Sequence, residues 1–212
     1  MSHFIKLSFF LTGLIVFSYG ISIAITVQHL GIHPWDVMNI GLFEKFGLTI
    51  GSWNIIIGGM LILGSLILDR RYLHVGTFLN ALLVGPLVDF FLWVNIFPKF
   101  PHLVGEMITL MIGIVLMGVG GGMYSASGFG AGPRDGFMLS ISDKTGISIS
   151  NVRILLESSV LIVGWLIGGP VFVFTFVYTF IQSPLFQMSF LYCTRLKKQL
   201  LTHVQTERNL PL

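Results

Sequence analysis

The chain has 212 residues, of which 54% are hydrophobic and only 10% charged, with a mean hydropathy of +0.87. That balance excludes a disordered chain and an ordinary soluble core. The excess of 12 Lys+Arg over 9 Asp+Glu reads as charge at membrane edges, not as a nucleic-acid surface. The single cysteine, Cys193, excludes an internal disulfide and a cysteine-built metal site.

Six apolar runs, at 5–28, 52–69, 73–96, 104–127, 150–168 and 170–192, approach the ~20 residues needed to span a bilayer. The first is longer than the ~7–15-residue apolar core of a signal peptide and has no small-x-small cleavage site after it. Lys6, Arg70, Arg71, Arg195, Lys197 and Lys198 all fall on one side if both termini are cytoplasmic, with Lys99 the exception. The expected topology is therefore six spans with the N- and C-termini inside.

The first span carries Gly13 and Gly20, which predict close approach of a neighbouring helix in lipid. After it comes Gly31-Ile-His-Pro-Trp-Asp36, and this motif returns as Gly130-Ala-Gly-Pro-Arg-Asp135, displaced by 99 positions. Proline in a first turn followed by an acid predicts a helix start at Pro34 and at Pro133. Lys45 before Gly47, and Lys144 before Gly146, predict the matching helix ends. Trp35, Met38, Leu42 and Phe46 form an apolar stripe that places the short helix in the interface or as a re-entrant segment. The bland role for Asp36 and Asp135 is helix-terminal stabilisation, weighed against a direct part in binding. Arg134 precedes Asp135 and offsets its charge, whereas Trp35 precedes Asp36.

The third span carries Thr77, Asn80, Gly85-Pro86 and Asp89, and the sixth carries Thr175, Gln182, Ser183-Pro184 and Gln187. Proline within a span removes a hydrogen bond, and interrupted helices at matching places in two halves point to a transporter site. Asp89 has no partner in its own helix, so it is the sharper ionisable candidate. The fourth span repeats the small residues of the first with Gly113, Gly118, Gly120, Gly121 and Gly122. In the fifth, Arg153 and Glu157 share one helical face, where they neutralise each other as a structural pair.

The 99-residue echo divides the chain into a three-span repeat over 1–100, a second over 101–198 and a cytoplasmic tail over 199–212 that is expected to be disordered. Units with an odd number of spans must sit in opposite orientations. The expected fold is thus an all-α membrane protein of two inverted repeats, each with a short extra helix. The six histidines make no metal pattern, and no phosphate loop, G-x-S-x-G or H-E-x-x-H occurs, so neither cofactor, metal nor enzymatic activity is expected.

Gly-x-x-Pro-Trp-Asp at 31–36, Gly-Leu-Thr-Ile-Gly at 47–51 and Gly-Pro-Leu-Val-Asp at 85–89 resemble the YczE-like multi-pass membrane proteins of bacilli, related to the YitT/YyaS group. The likeness covers nearly the whole chain. It implies a bacterial plasma-membrane location and carries over no catalytic residue. The functional expectation is a small-solute transporter or permease with candidate residues Asp36, Asp135, Asp89, Pro86, Pro184, Asn80 and Gln182. Gly31, Pro34, Gly47, Gly130, Pro133 and Gly146 form its structural motif. Expected partners are the lipid bilayer, a small solute and a second copy or another membrane protein. The alternative is a non-transporting membrane partner acting through protein contacts.

Overall fold

A computed structural model of the chain describes residues 2–98, 100, 102–147 and 149–208. Lys99, Ser148 and the tail residues 209–212 lie outside the described residues. The described residues form eight α-helices and no strand: α1 (Ser2–Thr26), α2 (Pro34–Phe46), α3 (Ile50–Leu68), α4 (Val75–Val94), α5 (Leu103–Ala126), α6 (Pro133–Thr145), α7 (Ile149–Ile167) and α8 (Val173–Arg208). Among them, α1, α3, α4 and α5 are long and apolar enough to cross a bilayer. Their outward faces carry Met60, Leu63, Ile67, Trp93 and Ile108, all exposed. Apolar surface on that scale suits a hydrocarbon solvent.

A long helix, a short helix and two further helices occur in the same order twice, α1–α4 and α5–α8. The two central long helices, α1 and α5, make the most extensive contact in the molecule. Glycine permits it. A methyl group at Gly20 would stand 2.7 Å from the Met117 backbone nitrogen and 2.8 Å from the Gly113 carbonyl oxygen. One at Gly13 would meet the Gly120 carbonyl oxygen at 2.9 Å. Phe10, Leu14, Ile21, Ile114 and Met117 fill the core along this seam. His29 beyond the end of α1 bonds Glu106 at the start of α5 at 3.0 Å, so the two helices run antiparallel.

The short helices exchange partners. Helix α2 packs on α7 of the second half, and α6 packs on α3 of the first. Gly41 lies against Gly169, and Gly164 against Met38. Both short helices begin buried and end exposed. Trp35, Asp36 and Asn39 are all buried while Phe46 is 61% exposed, so burial follows distance from the helix start and not the apolar stripe expected from sequence. The reason is the crossing with α7, which covers α2 at Val37, Met38 and Gly41 and turns its first polar turn inward.

The repeated glycines before the short helices dock on the opposite half. Gly31 has φ +127° and lies against Thr175, and Gly130 has φ +139° and lies against Thr77. Side-chain-bearing residues rarely adopt that backbone, and neither position has room for one. Ile32 N–H donates to Thr175 Oγ1 at 3.3 Å, while Thr77 Oγ1 donates to the Ala131 carbonyl at 2.8 Å. Each threonine also accepts a backbone N–H at the start of its own helix, from Phe172 and His74 respectively.

Two further differences from the sequence expectation concern helix continuity. Helices α4 and α8 run unbroken through Pro86 and Pro184, both of which are exposed. Proline on an outward face loses one ladder bond and the helix carries on. Helix α8 also continues to Arg208 through the strong helix formers of Leu196–Leu201, so the segment expected to be a disordered tail is helical to that point.

Candidate functional site

The buried starts of α2 and α6 meet. Between the halves lies a cavity of about 80 Å³, which both helix N-termini reach: His33 and Trp35 from one side, Pro133, Arg134 and Asp135 from the other. Asn54 and Gly58 of α3, Asn80 of α4 and Tyr124 of α5 complete the wall, with Arg153 and Glu157 of α7 and Gln182 of α8. Thirteen residues make each short helix, about 20 Å, so each reaches the middle of the molecule from one end.

Local chemistry sets each start. At α2 the His33 ring replaces the usual hydroxyl cap: its Nδ1 accepts Trp35 N–H at 3.4 Å. That leaves the proton on Nε2, which points at Glu157 Oε1, 3.8 Å away. Glu157 also accepts from Arg153 Nε at 3.0 Å, so the pair expected from i,i+4 spacing forms, and it forms in the cavity wall. Gly132 occupies the place of His33 in the second copy. A methyl group there would come within 3.2 Å of Tyr124 Oη and 3.4 Å of Asn80 Oδ1, so the smaller residue keeps the cavity open.

Trp35 and Arg134 occupy equivalent places in the two copies of the motif, and they touch. The Arg134 guanidinium lies over the indole, 4.9 Å from its centroid. Arg134 makes no hydrogen bond and no ion pair with any described residue, and Asp135 likewise makes none. Asp36 is 1% exposed, and neither of its carboxylate oxygens has a hydrogen-bond partner. The charge nearest to it in effect is Arg134, brought from 98 residues away. The sequence expectation that Asp36 lacks a neighbouring cation is therefore corrected by the fold.

Of the residues singled out from sequence, Asp135, Asn80 and Gln182 line the cavity, and Asp36 lies buried one position beyond the lining residue Trp35. Asn80 Nδ2 and Gln182 Oε1 lack partners. Asp89 lies elsewhere. It accepts Thr49 Oγ1–H at 2.5 Å and Gly51 N–H at 2.9 Å, tying the end of α4 to the start of α3. Pro86 and Pro184 face outward, away from the cavity. His33, Trp35, Arg134, Arg153, Glu157 and Tyr124 were not singled out for the site. A signal existed for two of them: at the 99-residue offset, Arg153 and Glu157 replace Asn54 and Gly58 of the first copy. Among the described residues no group of His, Cys, Asp and Glu is placed to hold a metal ion.

Residues 4–190 match a family described as a family of unknown function, DUF6198. The chain belongs to the DUF6198 family. It is 39% identical over 167 residues to the uncharacterized membrane protein YczE of Bacillus subtilis, covering 79% of this chain and 77% of that protein. It is 31% identical over 169 residues to YyaS of the same organism, covering 78% and 83%. A Haemophilus influenzae protein is 35% identical over 147 residues, covering 69% and 66%. No solved structure matches the chain. Membrane residence follows from the relationship to YczE together with the four apolar helices.

Proposed function

We propose that the protein is a small-solute transporter of a bacterial plasma membrane, with six spans arranged as two inverted repeats and its solute site in the central cavity. One observation carries the reading: two motif-equivalent helices, one from each half, bring their buried N-termini to the same polar cavity. Short helices of about 20 Å cannot cross a hydrocarbon core of about 30 Å, and helix ends that stop at mid-depth are how secondary transporters hold polar solutes. Helix α7, at 19 residues, and the apolar first part of α8 supply the remaining spans.

The orientation is supported by which ends lie together. Arg71 bridges Asp69 and Asp143, at 3.3 Å to the latter, which joins the loop before α4 to the end of α6. Lys197 Nζ donates to the Ala126 carbonyl at the end of α5. Arg70, Arg71, Lys144 and Lys197 thus share one end, which the positive-inside rule makes cytoplasmic. Alternating access is rocking of one half against the other about the cavity, and the solute crosses chemically unchanged.

Counterflow into liposomes containing the purified protein tests the reading with a panel of labelled small polar solutes. Saturable uptake of at least one, lost in Glu157→Gln, is expected. Absence of uptake for every solute of a size the cavity admits would overturn it.

A further inference from the structure

We infer that the solute is a small zwitterion, carrying a carboxylate and an ammonium group separated by one or two carbons. This rests on the reading of the cavity as a transport site and adds the chemical class. Some groups in the wall already have partners. Arg153 and Glu157 satisfy each other at 3.0 Å, and the His33 ring closes on the same carboxylate. They form a neutral wall.

What remains in the lining is the Arg134 guanidinium, whose charge the buried Asp36 offsets from behind, the Asp135 carboxylate and two amide atoms. The Arg134 guanidinium lies over Trp35, 4.9 Å from the ring centroid, and its N–H donors make no hydrogen bond with any described residue. Asp135 makes no hydrogen bond with any described residue. Asn80 and Gln182 are 8% and 7% exposed, and each leaves one atom unsatisfied, a donor on Asn80 Nδ2 and an acceptor on Gln182 Oε1. Buried polar atoms of this kind require partners, and the cavity is where they find them. A carboxylate meets the Arg134 fork and the Asn80 amide, and is favoured by the positive ends of α2 and α6. An ammonium meets Asp135 and the Gln182 carbonyl.

A simple anion would leave Asp135 and Gln182 Oε1 unmet and would add charge beside a carboxylate. A simple cation would leave the N–H donors of Arg134 and Asn80 unmet, although Asp36 offsets the Arg134 charge. Only a solute with both charges completes the set. Size narrows it further: about 80 Å³ holds roughly five to eight water-sized groups, the scale of an amino acid with little or no side chain.

Trp35 is the reporter for the test. In full-length protein with Trp53, Trp93 and Trp165 replaced by Phe, its fluorescence is titrated with glycine, acetate, methylammonium and phenylalanine. Glycine is expected to give a saturable change at concentrations about tenfold or more below those needed for acetate or methylammonium, and phenylalanine none. Arg134→Gln should weaken glycine by about tenfold or more, and Asp135→Asn should weaken glycine while sparing acetate. If Arg134→Gln does not purify as a folded species, the Asp135→Asn comparison and the competition on unaltered sites decide alone. Equal affinity for glycine and either single-charge probe, or no response to glycine, overturns the inference. Glycine binding without flux in liposomes would keep the ligand class and sink the transport reading. Saturable flux of a singly charged solute with no glycine binding would do the opposite.

Discussion

Asp36 is a carboxylate at 1% exposure with no hydrogen bond, held by the fields of its own helix start and of Arg134. Burying an ion without hydrogen bonds costs several kcal/mol, whereas losing the helix-dipole contribution costs about 0.3–1 kcal/mol. Asp36→Asn should therefore leave thermal stability unchanged or raised while removing liposome uptake. A variant that is clearly less stable and still transports would show the acid to be structural. Asp89 should behave oppositely. Its carboxylate caps α3 through Thr49 and Gly51, so Asp89→Ala should cost about 1–2 kcal/mol in unfolding yet leave uptake per folded molecule intact. Sequence could not separate these two acids. The partners of Asp89 lie 38 and 40 residues away, and the cation beside Asp36 comes from the other copy of the motif.

The helices divide into those whose close approach is set by backbone and those with slack. Gly13 lies on α1 against the backbone of α5, where a methyl group would stand 2.9 Å from Tyr124 Cα. Gly13→Ala should destabilise by about 1–3 kcal/mol. Gly59 of α3 has nothing within 4 Å, so Gly59→Ala should be neutral or stabilise by about 0.5–1 kcal/mol. Thermal unfolding in detergent separates the two, and equal effects would mean that the seam yields. Pro86→Ala and Pro184→Ala, on outward faces of continuous helices, should leave uptake unchanged. Helix starts at Pro34 and Pro133 were legible because proline, acid, lysine and glycine act within one helix. The burial of Asp36 and Asn39 was not, because it depends on which foreign helix covers α2.

Across the whole molecule, orientation is the property most open to direct measurement. With Cys193 replaced by Ser, a cysteine at Lys45 should react with an impermeant reagent in intact cells, and one at Lys144 should not. Labelling of both, or of neither, would break the inverted arrangement. Cys193 packs with Phe9 and Ala126, so the replacement is small and buried. At this scale the recurring order of a long helix, a short helix and two further helices was foreshadowed by the 99-residue spacing of the motif. The cavity was not readable, because its wall draws on all eight helices, whose meeting depends on packing.

The contact between Trp35 and Arg134 bears on ancestry. Residues at equivalent places in two copies of a unit meet only where the relating axis passes, and in a dimer of identical chains such a residue must face itself. Arginine facing arginine there would repel, and tryptophan facing tryptophan would supply no charge. The stacked pair at 4.9 Å therefore needs two different chains or one fused chain in which the copies have diverged. Carrying both motifs in one chain lets one half contribute the ring and the other the cation. A first half expressed by itself could pair with its own kind, but could never rebuild this centre.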